Sequence, residues 1–371
     1  MVTSRRRLTG VLASAAILLS ACGSSGNSTP AESEGPGSSA PASASQAPTN
    51  DFSFALVTPN PRGDRSFIDA SAAGAERAIS ELGVEGSIIE ARGVPEQEAA
   101  IRGAISQDHD LVLALAPEPD IISKLAAEFP DQKFAVPSDL FLEDLPDNLA
   151  AFQINVHEVS YLVGVVAGMM TETKVVGAVV GGDSPGLNQF YWAYKQGVLA
   201  ACPDCAVLVS YLGFDFANPT LGKETALGLF EQDADILFQV AGRSGEGVIS
   251  AAQETGNFAI GVDANQDEVA PGTVIVSAMK KVDQSTFLLV KNAMEGNYSS
   301  GFSVIGMEDG ATALSWDEGS TTFADEGPDA MTAKLADVQA AVEEARDQVL
   351  DGSIDVCNAL EPTDACDGLA E

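Results

Sequence analysis

From Phe52 onward, short apolar runs alternate with segments in which apolar residues recur every three or four positions. Runs such as FSFALVT, DLVLALA, KVVGAVVGG, DILFQVA and TVIVSAM are apolar at almost every position. This pattern is typical of strands buried on both faces of a parallel sheet, with helical segments crossing between them. It predicts about a dozen strands, more than one ordinary sheet holds. We therefore predict an α/β fold of two doubly wound, Rossmann-like lobes joined by a hinge.

The loops after the predicted strands are the candidate ligand-binding positions, because ligands of doubly wound sheets bind beyond the carboxyl ends of the strands. These positions are Pro59 to Phe67, Ala116 to Asp120, Phe214 to Phe216, Gly242 to Gly245, Asp263 and Lys280. Within the first of them, Ser66 is a candidate cap for the helix that follows.

Several residues in these loops suit a planar, hydroxylated ligand, and each also has a purely structural interpretation. Phe67 offers a stacking surface if it faces a cleft, and packs in the core if it does not. Phe214 and Phe216 lie among polar and turn residues, where stacking on a ligand is favoured over burial. Asp263 can accept a pair of hydroxyl hydrogen bonds from a sugar, or serve a turn. Lys280 can pair with Asp263, donate to the same sugar, or lie at the surface.

The glycine-rich turn AGRSGEG after the strand DILFQVA invites comparison with a phosphate-binding loop. Its glycines, Gly242, Gly245 and Gly247, have the spacing GxxGxG rather than GxGxxG, and no Gly-Lys-Ser/Thr follows them. Arg243 adds a positive charge beside the first glycine. The sequence also has no HExxH motif, no EF-hand loop and only two histidines. We therefore expect a binding protein rather than an enzyme, with no metal and no cofactor.

The charge of the chain excludes one class of partner. Among 371 residues, 54 are acidic and 19 basic, for a formal net charge of −35. Such a surface repels DNA and RNA, so we expect no nucleic-acid partner.

The N-terminus has the features of an export signal. Arg5 to Arg7 are basic, and the apolar stretch Leu8 to Ala21 is too short to span a bilayer. The ending LSAC resembles the lipobox of bacterial lipoproteins, in which the cysteine matching Cys22 is acylated. We predict a signal peptide over residues 1–21, exported by the Sec or the twin-arginine route, and a flexible linker over residues 22–51. The mature chain is expected outside the cytoplasm, anchored to the bacterial cell membrane by lipid on Cys22.

The four other cysteines lie in two local pairs, Cys202 with Cys205 and Cys357 with Cys366. Outside the cytoplasm, local disulfides are the natural interpretation, although four cysteines allow three connectivities. A four-cysteine zinc site and a thioredoxin-like motif at CPDC are the alternatives. We favour a Cys202–Cys205 bond that staples the turn between a helix and the next strand.

Several stretches resemble the basic membrane protein family, the PnrA-type lipoprotein receptors for purine nucleosides of ABC importers. They are DRSF near the start, HEVSYLVGVVAG, KVVGAVVGG, the long block from VLVSYLGFDF to GVDANQ, and SAMKKVD. The likeness covers most of residues 52–310 and implies the type I periplasmic-binding-protein fold.

The resemblance implies that two phenylalanines hold a purine base between them. The matching residues are Phe67, in the DRSF segment that begins at Asp64, and Phe216, with Phe214 as the competing choice. Asp64 belongs to the implied binding segment.

The resemblance also implies the polar part of the site. Asp263 and Lys280 match ribose-binding residues, Gly242 contributes its backbone, and Asp120 matches an aspartate that reads the base. Asn60 lies where family members often carry an aspartate, which leaves the preferred base open.

The expected organisation follows from the strand order and the resemblance. We expect a first lobe of residues 52–154 and 272–300, and a second lobe of residues 155–271 and 301–371 that ends in a helical tail. The implied function is that of a monomeric solute-binding protein that captures a nucleoside and passes it to an ABC transporter permease. The alternative is the same fold binding a sugar or another small aromatic metabolite.

Overall fold

The computed structural model describes residues 50–138, 140–142 and 144–370. The predicted signal peptide, Cys22 and the predicted linker up to residue 49 lie outside the described residues. The strands are β1 (Ser53–Thr58), β2 (Glu85–Glu90), β3 (Leu111–Ala114), β4 (Lys133–Val136), β5 (Leu149–Ile154), β6 (Val175–Val180), β7 (Ala206–Tyr211), β8 (Ile236–Val240), β9 (Phe258–Asp263), β10 (Val274–Lys280), β11 (Gly301–Ile305) and β12 (Thr312–Leu314). The helices are α1 (Phe67–Leu82), α2 (Val94–Ile105), α3 (Pro119–Glu128), α4 (Val156–Met170), α5 (Pro185–Ala201), α6 (Pro219–Phe230), α7 (Ser244–Thr255), α8 (Val282–Met294), α9 (Thr322–Glu326), α10 (Asp329–Thr332) and α11 (Leu335–Leu350).

The described strands form two sheets of six strands each. The first sheet has the order β11-β5-β4-β3-β1-β2, and the second has the order β12-β10-β9-β8-β6-β7. Every neighbouring pair is parallel except β10 and β12, which are antiparallel. The central strands are buried along their whole length, as the apolar runs predict. The predicted two-lobed α/β fold is confirmed.

The chain passes between the lobes after β5, β10 and β11, and two of these crossings differ from the expected boundaries. The strand β10 belongs to the second sheet, whereas residues 272–300 were assigned to the first lobe. The helix α8 does pack in the first lobe, where Thr286 Oγ1 lies 2.9 Å from Ser71 Oγ of α1. The strand β11 then joins β5 in the first sheet, although it was assigned to the second lobe. An apolar run identifies a buried strand but not the sheet that it joins, because all buried parallel strands share this pattern.

The helices α4 and α5 pack closely in the second lobe because glycines face each other across their contact. A Cβ at Gly164 would overlap the carbonyl oxygen of Tyr194, and one at Gly197 would overlap the carbonyl of Tyr161. The C-terminal helix α11 packs on α4 and buries Leu335, Val338 and Val342 among its apolar residues. Within the described ranges, no helix combines the length and the hydrophobicity needed to cross a membrane.

Both local cysteine pairs are disulfide-bonded in the structure. Cys202 is joined to Cys205 in the turn between α5 and β7. Cys357 is joined to Cys366 in the C-terminal segment, next to Trp192 of α5. The first bond therefore closes the turn at the end of α5, and the second closes a loop that packs against α5.

Candidate ligand-binding cleft

A cavity of about 620 Å³ lies between the lobes, at the carboxyl ends of strands from both sheets. Its volume is within the range of small-molecule sites, about 300–1,000 Å³. The sequence-predicted residues that line it are Asn60, Asp64, Phe67, Phe216, Gly242, Asp263 and Lys280. Asp120 is not among the lining residues. Seven of the eight predicted ligand-binding residues therefore line this cavity, and Asp120 does not.

Unusual backbone conformations are concentrated around the cleft. Arg65, Ala116, Phe214 and Asp263 have φ values of 50°, 41°, 68° and 65°, in the left-handed region that non-glycine residues seldom adopt. Each follows or ends a strand whose loop borders the cavity. Such conformations cost of the order of 1–3 kcal/mol each, and they cluster at functional sites. Gly93 and Gly242 of the cavity lining also have positive φ, 86° and 55°, and there the glycine itself is the sequence signal for this geometry.

Two aromatic rings approach the cavity from opposite lobes. Phe67 is the first residue of α1 in the first lobe, and Phe216 lies between β7 and α6 in the second. Both side chains are half-buried. The Phe216 ring lies on Gly181, where an added Cβ would be 2.7 Å from ring atoms Cδ1 and Cζ. It also borders Gly242, so glycine main chain forms the surface on which this ring rests.

Phe214, the competing choice, also lines the cavity. Its ring rests on Gly182, where a Cβ would lie 2.5 Å from Cδ1, and the residue is 57% exposed. The structure thus brings both candidate phenylalanines to the cleft, with Phe216 the more enclosed.

Two further phenylalanines in the cleft were missed in the sequence. Phe190 lies in α5 and is buried, with its ring centroid 5.8 Å from Lys280 Nζ. The same ammonium lies 5.1 Å from the Phe67 ring. Phe141 lies in the connection between β4 and β5. Neither position shows a local signal, because an aromatic residue in a helix or a loop has the same pattern whether it faces a core or a ligand.

A hydrogen bond between the lobes forms the polar side of the cleft. Ser66 Oγ, of the first lobe, donates to Asp263 Oδ2, of the second, over 2.6 Å. Asp263 and Lys280 are both buried, and Asp263 ends β9 while Lys280 ends β10. Ser66 occupies the N-cap position of α1, but its side chain makes no capping bond. Its hydroxyl connects the two lobes instead.

The carboxylate of Asp64 holds the start of α1. Its two oxygens accept the main-chain N–H groups of Ser66, Ile68 and Asp69, at 2.9–3.1 Å. Burial raises the pKa of Asp64, and these hydrogen bonds oppose the rise. Asp64 borders the cavity, yet its oxygens are engaged by the backbone. Its contribution in the structure is to position Ser66 and Phe67.

The first-lobe loop around α3 differs from the expected arrangement. Asp120 lies in the first turn of α3 and is exposed, whereas Glu118, before that helix, lines the cavity. Gln97 fixes this loop, since its carboxamide accepts the N–H of Glu118 at 2.9 Å and donates to the carbonyl of Ala116. Asn60 also lines the cavity and is half-buried.

The glycine-rich turn after β8 owes its composition to packing. A Cβ at Gly245 would overlap the Gln239 side chain, and one at Gly247 would overlap the carbonyl of Pro219 in α6. Gly247 therefore permits close approach of α6 and α7, and Gly245 leaves room for the Gln239 side chain of β8, while Gly242 borders the cleft. Arg243 also borders the cleft and is exposed, and its side chain has no hydrogen-bond or ion-pair partner within the part of the chain that the structure describes.

One sequence pattern near the cleft invites an enzymatic interpretation. The segment GDSPG after β6 has the spacing G-x-S-x-G of hydrolase nucleophile turns, with Ser184 at its centre. The backbone of Ser184 is extended, with φ −152°, and neither His109 nor His157 lines the cavity. Nor do the described residues contain a cluster of histidine, cysteine or acidic side chains arranged to hold a metal. The structure therefore places neither a histidine of the cavity lining nor a metal-binding cluster of the described residues beside Ser184.

The family is decided by a match over most of the folded chain. Residues 52–343 match the model of the Bmp family, described as ABC transporter substrate-binding protein PnrA-like. The chain belongs to this family. Its members are substrate-binding proteins, and the resemblance drawn from the sequence is confirmed.

Known proteins similar to the chain agree with this membership. Basic membrane protein D of Borreliella burgdorferi is 36% identical over 179 residues, which are 47% of this chain and 52% of that protein. An uncharacterised lipoprotein of Pyrococcus abyssi is 29% identical over 282 residues, covering 71% of this chain and 69% of that protein. An ABC transporter solute-binding protein of Aeropyrum pernix has a similar structure, with a TM-score of 0.74 and 28% identity over 83% of this chain and 93% of that one. The fold, the transport class of the similar structure and the naming of relatives as lipoproteins therefore all agree with membership of the Bmp family.

Proposed function

We propose that this Bmp-family chain captures a purine nucleoside between its lobes and delivers it to the permease of an ABC importer. The observation that supports this most is the approach of Phe67 and Phe216 to one cavity from opposite lobes. Two aromatic faces suit a planar base. The neighbouring Asp263 and Lys280 offer an acceptor and donors to the hydroxyl groups of a ribose.

The polar groups also explain how binding would close the lobes. Ser66 and Asp263 belong to different lobes and already share a hydrogen bond. A ribose hydroxyl bound to Asp263 would join a network that includes both lobes, so the ligand binds the closed state better than an open one. Closure of this kind is the signal that a membrane partner can recognise.

Aromatic contact positions the base, and the polar residues around it select which base is bound. Asn60 has an amide that both donates and accepts, so it pairs with several base edges. Glu118 and Arg243 border the same cavity with opposite charges. We propose that the chain accepts more than one purine nucleoside, since a single fixed carboxylate does not dominate this end of the cleft.

We also propose that lipid on Cys22 anchors the chain outside the cytoplasm. A linker rich in serine, proline, glycine and alanine would let the folded part reorient above the membrane. The test is detergent-phase partitioning of the full chain expressed in bacteria. Wild-type protein should enter the detergent phase, and Cys22→Ser should remain in the aqueous phase. Equal partitioning of the two would contradict the anchor.

The ligand is tested by titrating purified protein with inosine, guanosine, adenosine and free sugars. A nucleoside at a hundred times its Kd should stabilise the fold by about 2.7 kcal/mol, which is readily seen as a rise in Tm. Phe216→Ala should abolish most of this rise. Phe302→Ala is the matched control, because Phe302 is an exposed phenylalanine of β11 that does not line the cavity.

The outcome separates the proposal from its alternative. A rise in Tm with nucleosides alone supports the nucleoside receptor. A rise with a sugar and none with nucleosides would overturn it in favour of a sugar-binding protein of the same fold.

A further inference from the structure

Phe141 forms an aromatic contact between the lobes at the edge of the cleft. It lies between β4 and β5 of the first lobe, lines the cavity and is 44% exposed. Its ring rests on Gly186, in the first turn of α5 in the second lobe. A Cβ added to Gly186 would overlap ring atom Cζ and lie 2.7 Å from Cε2. This contact is separate from the Ser66–Asp263 hydrogen bond and is made by different segments.

The glycine at position 186 is explained by this ring rather than by its backbone. The φ angle of Gly186 is not in the left-handed region, so any residue could adopt its backbone conformation. The atoms nearest to its Cβ position all belong to the ring of Phe141. The absence of a side chain therefore serves to provide a flat surface for the ring.

The position of the two partners makes this contact sensitive to the hinge. The rings of Phe214 and Phe216 also rest on glycines, but ring and glycine belong to the same lobe in both cases. Phe141 and Gly186 belong to different lobes, so a hinge motion separates them. The ring keeps much of its apolar surface exposed, and contact with a second apolar surface is favoured by about 25 cal/mol for each Å² removed from water.

We propose that Phe141 is a ligand-retaining residue, which seats on Gly186 when the lobes close and so slows escape of the bound molecule. This inference rests on the proposed function in that it assumes a ligand in the cleft. It adds a third aromatic residue to the pair that holds the base, with a different task. Phe67 and Phe216 bind the ligand, whereas Phe141 joins the lobes around it.

The retaining role is tested by measuring nucleoside dissociation by stopped-flow displacement. Phe141→Ala and Gly186→Ala should each raise the dissociation rate about tenfold, because interface changes act mainly on dissociation. The double variant should be no faster than Phe141→Ala, since both changes remove one contact. Phe141→Leu, which keeps an apolar side chain, should give an intermediate rate and guards against misfolding of the alanine variant.

Two variants serve as matched controls. Phe302→Ala removes an exposed ring outside the cleft. Gly228→Ala adds a methyl group to α6 at a position where nothing lies within 4 Å of it. Both should leave the dissociation rate unchanged. If the four rates of wild type, Phe141→Ala, Gly186→Ala and their double variant are equal, or if the single effects simply add, the proposal is overturned.

The contact itself is measured by nuclear magnetic resonance, in free and in nucleoside-saturated protein. In deuterated protein with protonated phenylalanine rings and glycine Hα atoms, a nuclear Overhauser effect should join the Phe141 ring to Gly186 and disappear in Phe141→Leu. Absence of this signal in both free and nucleoside-saturated protein would overturn the inference. If wild-type protein binds no nucleoside, the proposed function and the retention of a nucleoside both fail, while this signal still decides whether the two residues meet.

Discussion

Replacing Gly181 with alanine should displace the Phe216 ring without removing it. An added Cβ would overlap Cε1 of the ring and lie 2.7 Å from Cδ1 and Cζ. Non-bonded carbon atoms keep about 3.5 Å apart, so the ring must move by roughly an ångström. The adjacent Gly182 provides the matched comparison, because its Cβ would meet the Phe214 ring instead.

The expected loss of nucleoside affinity follows from the free energy that stacking on Phe216 contributes. Stacking of a base on an aromatic side chain is worth about 1–3 kcal/mol, and this corresponds to about 5- to 150-fold in Kd. A shifted Phe216 ring should lose about half of this free energy, about 1 kcal/mol, so Gly181→Ala is expected to weaken nucleoside binding about fivefold. Gly182→Ala moves a ring that is 57% exposed and free to turn into solvent. We expect it to change Kd less than about twofold.

The assay is isothermal titration of both variants with the nucleoside that binds wild-type protein best. Thermal unfolding of each variant without ligand shows whether the fold survives the change. Weaker binding by Gly182→Ala but not by Gly181→Ala would identify Phe214 as the stacking residue. Unchanged binding by both would refute the argument that a ring supported by glycine holds the base.

Three further predictions concern stability. Burial lowers the pKa of His157 from 6.5 to about 4. Stability is therefore fully present above pH 6.5, and about 3 kcal/mol of the free energy of unfolding is lost as the pH falls from 6.5 to 4. Urea unfolding at pH 7 and pH 4 should show a smaller difference in the free energy of unfolding for His157→Gln than for wild type. Gly164→Ala would drive a methyl group into a carbonyl of α5 and should lower Tm strongly, whereas Gly103→Ala, where nothing lies within 4 Å, should not. Replacing Cys357 and Cys366 with alanine opens a disulfide loop of sequence separation 9 and should cost about 2–3 kcal/mol in chemical unfolding, and an unchanged midpoint would show that the bond contributes nothing.

The residues predicted for the cleft show how far local patterns reach. Asp263 and Lys280 were found because they end β9 and β10, and Phe67 because it ends the loop that follows β1, since strand ends of parallel sheets converge. Asp120 follows β3 in the same way but is the second residue of α3 and is exposed. Asp64 follows β1, yet its carboxylate is engaged by the backbone of α1. A strand end thus predicts nearness to the cleft but not which groups remain available to a ligand.

The residues that were missed depend on contacts between distant segments. Ser66 meets Asp263 across 197 positions of sequence. Phe141 meets Gly186 only because the two lobes face each other. No local pattern records such pairs, since each partner alone is an ordinary loop or helix residue.

The sequence by itself determined the two α/β lobes, because burial on both faces of a parallel sheet leaves a continuous apolar run in every strand. It also indicated the position of the cleft, because the carboxyl ends of those strands converge there, and its motifs identified the family. Only the tertiary structure decided which lobe receives β10 and β11, because either sheet could accept such a strand. It also decided which phenylalanines rest on glycine and which join the lobes. Those choices depend on the packing of segments far apart in the chain, and packing is a property of the folded molecule rather than of any local stretch.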